Sequence, residues 1–383
     1  MQEDDQATPF IEALGFIQPL IADHRAGFDR DRQLHEEVFN ALAEGGFFRL
    51  WLPATLGGPE LSPLAFMSVV ERAAALDGAV GWLVGNGGGM SRVGGYLPSH
   101  VVRSWFEDRR TFVVSATGAL GAAVSVDGGF RVSGRWPFGS GAPHGTHFMG
   151  LVTIGENQAP DQPRFCCYFE RKQVTIHDTW HVSGLRGTGS SDWEVRDTWV
   201  PAERMHPFVD YKPAENGVIY RLPALSTFAW TVAVVPLGIA RGAIDSFVTL
   251  ASGKGRLGTP GVMRDREIVQ ALVGRVQTLH SSARAFLIET MSELMAATDV
   301  GGHRLVSARL RLRIAAAHAG ETALHIVDIL AREAGAAAIF ESGPLERAVR
   351  DVHAATKHIA MNPSIYVTAG RVELGLEAAT ARF

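Results

Sequence analysis

The sequence holds only two cysteines, Cys166 and Cys167, and they are adjacent. Neighbouring strand residues point to opposite faces, which rules out an ordinary disulfide between them. Two thiols cannot complete a structural zinc site either. This cysteine usage points to a reducing, cytoplasmic setting. No uninterrupted apolar run of membrane-spanning length is present, which argues against a membrane span. Nor is there a basic excess: 36 Lys and Arg against 40 Asp and Glu leave a net charge of −4. With no basic stripe, nucleic acid is not the expected partner. The 14 histidines show no HExxH-like spacing, so no metal site is expected. No GxGxxG follows a strand, so a separate protein is expected to use any nicotinamide cofactor. The opening MQEDDQATP lacks the basic and apolar segments of a signal peptide and reads as a loose tail.

What is present is an ordinary globular composition in 383 residues, 46% hydrophobic and 20% charged. That length suggests two or three structural regions. Residues 1–110 read as helical, with Leu34, Val38, Phe39, Leu42 and Phe47 at helical spacing. A Gly/Pro-rich break at 52–63 precedes a helix over 63–77. The glycine-rich stretch GAVGWLVGNGGGM either packs closely or leaves space beside a ligand. Residues 111–205 read as a β-region, with alternating β-branched and aromatic strands and a hairpin signal, VDGGF, suited to a primed turn. Residues 206–383 read as a helical bundle. Leu272, Val276, Leu279, Ala283, Phe286, Leu287, Met291 and Leu294 form one stripe, and helices are expected over 303–335 and 344–361. Apolar faces on several of these helices suggest an oligomer.

The stretch RDVHAATKHIAMNP (350–363) sets two histidines five residues apart, which on a helix do not share a face. Arg347 and Asp351 are spaced to pair along a helix surface. From these residues alone, His358 reads as either a packing residue or a catalyst.

The order of regions and several strings resemble the acyl-CoA dehydrogenase superfamily over nearly the whole chain. The strings are LAEGGFFRLWLPATLGGPELSP (42–63), GRWPFGSGAPHGTHFMGLV (134–152), HVSGLRGTGSSDWEVRDTWVP (181–201), PLGIARGA (236–243) and LERAVRDVHAATKHI (345–359). The resemblance implies an α+β, mainly α fold: an N-terminal helical domain, a central β-barrel-like domain and a C-terminal four-helix bundle. It also implies a homotetramer with flavin between β-domain and bundle.

Two chemistries share that fold. Dehydrogenases abstract the α-proton of an acyl-CoA with a glutamate. The two positions for that glutamate correspond here to Ile359 and Phe228, neither of which can take a proton. The TEPGAGSD-like string corresponds to SATGALGAA (115–123), without its glutamate, serine and aspartate. The sequence therefore resembles the other branch, the oxygenase components of two-component flavin monooxygenases. These take reduced FAD or FMN from a separate NAD(P)H-dependent reductase, form a C4a-hydroperoxide with O2, and hydroxylate aromatic or heteroaromatic substrates such as phenols, indoles or polycyclic compounds. An acyl-CoA dehydrogenase with a displaced base, an amino-sugar N-hydroxylase and a non-catalytic assembly module remain as alternatives.

In that branch a histidine at the position of His358 faces the reactive flavin edge, and imidazole suits the work because its ordinary pKa is near neutral. The resemblance places Ser140 beside flavin N5 and Ser115 beside flavin or substrate. Trp136 and Phe138, same-side by strand alternation, either wall the ring or fill the sheet core. Thr188, Gly189 and Ser190 match a loop that contacts the flavin phosphate or ribityl chain. Arg256, and near it Lys254, match basic residues that reach the phosphate. The AGAAA segment (334–338) departs from the string that holds the FAD adenylate. Trp82, Asn86 and Met90 match the segment lining the substrate pocket, where GNGGGM lacks the histidine of some phenol hydroxylases. His144 and His147 read as mainly structural.

Overall fold

The structure, a computed structural model, describes residues 2–155, 162–209, 211–256 and 259–377. In chain order its helices are α1 (Gln2–Asp31), α2 (Glu36–Glu44), α3 (Pro63–Leu76), α4 (Gly78–Met90), α5 (Ser99–Phe106), α6 (Val218–Arg221), α7 (Ala224–Gly253), α8 (Glu267–Thr298), α9 (Gly302–Ala334), α10 (Pro344–Ala355) and α11 (Ser364–Glu373). Between α5 and α6 lie strands β1 (Val113–Val126), β2 (Gly129–Gly139), β3 (His147–Ile154), β4 (Phe165–Glu170), β5 (Thr175–His177), β6 (Ser191–Pro201) and β7 (Met205–Pro207). A short hairpin, β8 (Gly255–Arg256) and β9 (Thr259–Val262), follows α7.

The opening residues are not a loose tail. Residues from Gln2 onward belong to α1, because Ala7, Leu14, Ile17, Ile21 and Phe28 recur on one helical face and are all buried. The polar first letters mask a stripe that begins only at Ala7.

By their contacts the residues group into two compact units. The first holds 1–66, 83–182 and 186–224; the second holds 67–82, 183–185 and 225–383.

In the first unit the seven strands pair in the order β5-β6-β2-β1-β3-β4-β7. This is an open ladder with β5 and β7 at its edges. All neighbours are antiparallel except β1 and β3. The hairpin forms where VDGGF predicts it, Val126 facing Gly129. The turn is not primed, because only Gly128 takes a positive φ (70°) and Asp127 does not. Glycines of α4 serve close packing. A Cβ on Gly87 would meet the Phe112 and Phe48 rings, and one on Gly88 would meet the Phe47 carbonyl. Cys166 and Cys167 are buried free thiols on β4, and burial pushes Cys166 up to about 12, so neither is reactive.

The second unit is built on α7, α8 and α9. Along α8 the residues Val276, Ala283, Leu287, Met291 and Leu294 are buried as their spacing predicts. Two helical stretches, Ala224–Gly253 and Gly302–Ala338, are in fact long and apolar enough to cross a membrane. In the first, 83% of the most apolar window is buried inside the protein, so its hydrophobicity serves the core. The end of α3 joins this unit because small residues allow it: Gly238 and Gly242 of α7 lie against the backbone of Glu71 and Ala75. Arg347 and Asp351 do not pair on a surface. Both are buried, with Arg347 Nε 2.8 Å from Asp77 Oδ2 and 3.8 Å from Asp351 Oδ2.

Candidate active site

The first unit gathers three of the expected cofactor residues. Gly139 closes β2, and the chain turns so that the Ser140 hydroxyl meets Ser190 Oγ at 2.8 Å. Thr188 Oγ1 lies 2.7 Å from the same Ser190 oxygen. Gly189 joins the two hydroxyl residues with a φ of 54°, in the left-handed region that favours glycine. The Gly141 N–H donates to the Thr188 carbonyl at 2.8 Å, which ties the two loops together. All three hydroxyl residues are buried.

Trp136 and Phe138 do not share a side. The β2–β6 register shifts between Trp136 and Gly139, and Phe138 takes a positive φ of 63°. Trp136 is a core residue and not a cofactor wall. Its ring is fully buried, stacks on Trp193 at 4.4 Å, and donates Nε1–H to the Leu151 carbonyl at 3.0 Å. Gly121, Gly134 and Gly150 make room for it, since a Cβ on any of them would come within 2.5 Å of the indole. Phe138 is instead 66% exposed, in a backbone conformation that costs a non-glycine residue on the order of 1–3 kcal/mol. Trp180 meets it edge-on at 6.4 Å, a neighbour that no sequence signal marked.

Ser115 is half-buried on β1, paired in register with Met149. Asn86 and Met90 are half-buried on α4, and Met90 packs against the cluster of Leu52, Val93, Trp105 and Tyr168. His144 stacks on Phe39 at 4.2 Å, and His147 stacks on Trp105 at 4.2 Å. Both are packing residues, as expected.

The second unit holds His358. Helix α10 ends at Ala355, earlier than the expected 361, so helical-wheel geometry does not apply to His358. His358 caps a short 3-10 turn, Ile359–Met361, and its Nδ1 accepts the Ala360 N–H at 3.1 Å. The ring therefore carries its proton on Nε2. The Phe228 ring meets it at 5.5 Å and the Trp82 ring at 6.0 Å. Two residues singled out separately, His358 and Phe228, thus meet, and Trp82 joins them. Burial, reinforced by the nearby Arg313 guanidinium, pushes His358 down to about 4. Arg313, on α9, was not legible as a neighbour because its helix is distant in sequence. His358 is thus neutral at pH 7, which corrects the expectation of a near-neutral pKa. Lys254 is occupied elsewhere: its Nζ donates to the Ala334 carbonyl at 2.7 Å, at the end of α9. The side chain of Arg256 lies outside the described residues.

These protonation states have a measurable consequence. His147 and His206 are also pushed down to about 4, chiefly by burial. A histidine whose folded pKa lies below its ordinary 6.5 is more readily protonated when unfolded. Its stabilising contribution is complete above about pH 6.5 and is lost as pH falls toward 4. Asp351, raised to about 7, opposes this trend because it holds its proton more tightly when folded. With three histidines against one carboxylate, we expect the melting temperature to fall between pH 6 and 4. Differential scanning fluorimetry across that range checks it, and a flat profile down to pH 4 contradicts it.

Comparison with known proteins identifies the family. The family model for the acyl-CoA dehydrogenase N-terminal domain matches residues 6–94, and that for the acyl-CoA dehydrogenase C-terminal domain matches 230–363. Indole-3-acetate monooxygenase of Pseudomonas putida is 32% identical over 358 residues, which cover 91% of this chain and 89% of that protein. The crystal structure of the HsaA monooxygenase from Mycobacterium tuberculosis superposes with a TM-score of 0.88 at 26% identity, over 98% of this chain and 100% of that one. XiaF from Streptomyces sp., solved with FADH2 and glycerol, has the same fold, with a TM-score of 0.89 at 24% identity over 99% of this chain and 98% of that one. The chain belongs to the acyl-CoA dehydrogenase superfamily, in its branch of flavin-dependent monooxygenases.

Proposed function

We propose that the chain is the oxygenase component of a two-component system, hydroxylating an aromatic substrate with reduced flavin and O2. The observation that carries this reading is the surroundings of His358. Where a dehydrogenase needs a carboxylate base, the chain has Ile359, 75% exposed, and Phe228, and a neutral imidazole packs against Phe228.

The residues fit a flavin. Ser140, Ser190 and Thr188 form a buried hydroxyl trio that can exchange hydrogen bonds with the polar edge of the ring system and its side chain. Phe138 offers an exposed aromatic face two residues from Ser140. Ser115 and Gly189 would complete this side. Reduced flavin, when bound, would supply the two electrons that activate O2, one atom of which goes to the substrate and the other to water.

The chain's own residues do the rest. His358 donates a hydrogen bond from Nε2 to an oxygen of the substrate or oxidant, and does so at constant protonation state above about pH 5. Phe228 and Trp82 set aromatic rings against it, which limits the access of water to that donor. Trp82, Asn86 and Met90 would meet the substrate. An indole or other bicyclic aromatic fits an apolar wall without a phenolate-orienting histidine, and indole-3-acetate is the first compound to try.

A separate NAD(P)H-dependent reductase would supply the flavin. A homotetramer would cover exposed apolar side chains such as Ile339, Phe340 and Leu374. Two buried free thiols suit the cytoplasm.

The test is turnover with a generic flavin reductase, NADH and either FMN or FAD. Oxygen incorporation from 18O2 into indole-3-acetate or a phenol, seen by mass spectrometry, is the expected result. No oxygenated aromatic, together with bleaching of a yellow flavoprotein by an acyl-CoA, would overturn it.

A further inference from the structure

We propose that His24, His35 and Glu37 form a divalent-cation site of the zinc class, a clip between α1 and α2. His24 lies on the last third of α1, His35 is the N-cap of α2, and Glu37 is in the first turn of α2. One ligand atom from each lies within 4.8 Å of the others. His24 Nε2 is 3.4 Å from Glu37 Oε2, and the two imidazoles stack with centroids 3.8 Å apart. Among the described residues this is the one such group. A tetrahedral zinc ion about 2.0–2.2 Å from each donor sets them roughly 3.3 Å apart, so closure requires side-chain rotation only. Two imidazoles and a carboxylate leave the fourth position for water.

The two imidazole planes lie within 9° of parallel, so no single ion lies in the plane of both rings. His24 Nε2 already faces Glu37, so binding requires His35 to rotate out of the stack. The bond it would displace, from Glu37 N–H to His35 Nδ1, is 3.4 Å long and weak. No sequence motif marks the site, because its ligands come from two helices with a turn between them.

The turn so clipped braces the hydroxyl trio. The Leu34 carbonyl accepts from His144 Nε2 at 3.1 Å, and His144 follows shortly after Ser140. Arg32 pairs with Asp178 at 3.0 Å, and a Cβ on Gly189 would meet the Arg32 carbonyl at 3.2 Å. Holding α1 to α2 would therefore steady the loop that carries Thr188 and Ser190.

The experiment uses the full-length, tag-free chain after EDTA treatment and desalting. Zinc chloride is titrated in by isothermal calorimetry, and cobalt chloride is followed by visible absorption. The expected result is one ion per chain, the visible bands of near-tetrahedral cobalt, and a rise in melting temperature with zinc. His24→Ala and Glu37→Gln should each weaken binding at least tenfold and abolish the temperature shift. His35→Asn keeps the helix cap and should weaken binding as much, with metal-free melting unchanged. Absence of stoichiometric binding, or binding undiminished in His24→Ala, would overturn the proposal.

Discussion

Replacing His358 with alanine is expected to cut product formed per reduced flavin by about a hundredfold, the scale for losing one well-placed donor to a developing oxyanion. Flavin reoxidation should continue, releasing hydrogen peroxide, because oxygen activation is the cofactor's own chemistry. His358→Asn separates the two roles open to the imidazole. Asparagine can accept the Ala360 N–H and still present an amide N–H, but it cannot take a proton at neutral pH. The geometry makes His358 a donor, so the asparagine variant should retain well above the activity of the alanine variant. If both variants are equally inactive while binding flavin normally, His358 acts as a base. The wild-type rate should also show no inflection near pH 6.5, since burial and Arg313 hold this group at about 4.

The second large effect concerns stability. Arg347 sits between two buried carboxylates. Asp77 Oδ1 caps α4 by accepting the Ala79 N–H at 2.9 Å, and Asp351 Oδ1 accepts the Leu185 N–H at 2.6 Å. Burial and the Asp77 charge raise Asp351 to about 7, with the Arg347 guanidinium opposing them. Arg347→Leu removes that opposition and the guanidinium that pairs with both buried carboxylates. A broken buried pair of this kind costs about 3–5 kcal/mol. For a chain of this size we expect a melting temperature lower by roughly 5 °C, read by calorimetry. Asp351→Asn should be milder, because an amide oxygen can still accept from Leu185. An unchanged melting temperature in Arg347→Leu would show that the pair is not integral to the fold.

The helix–strand–helix order was legible because periodicity records which face of an element is buried. Ser140 and the Thr188–Ser190 loop were singled out separately through resemblance. That their hydroxyls meet was not legible, because the two loops are about fifty residues apart in sequence. For Trp136 the choice between core and cofactor wall was not legible. Its burial depends on glycines contributed by β1, β2 and β3, together with a register shift, and strand alternation encodes neither. The early end of α10 was missed because Ala354, Ala355 and Lys357 are good helix formers. Tertiary packing and the His358 cap override that local preference. The Asp77–Arg347 pair and the His24–His35–Glu37 group join residues far apart or on different elements, which no spacing rule reaches.

The central claim is that this chain directs the reaction of reduced flavin with oxygen. It is tested most directly by stopped-flow absorbance, mixing the protein and anaerobically reduced FMN or FAD with oxygenated buffer. The account predicts a near-ultraviolet-absorbing species, distinct from oxidised flavin, that persists and then decays to it. Reoxidation at the rate of free flavin, with both FMN and FAD, would contradict it.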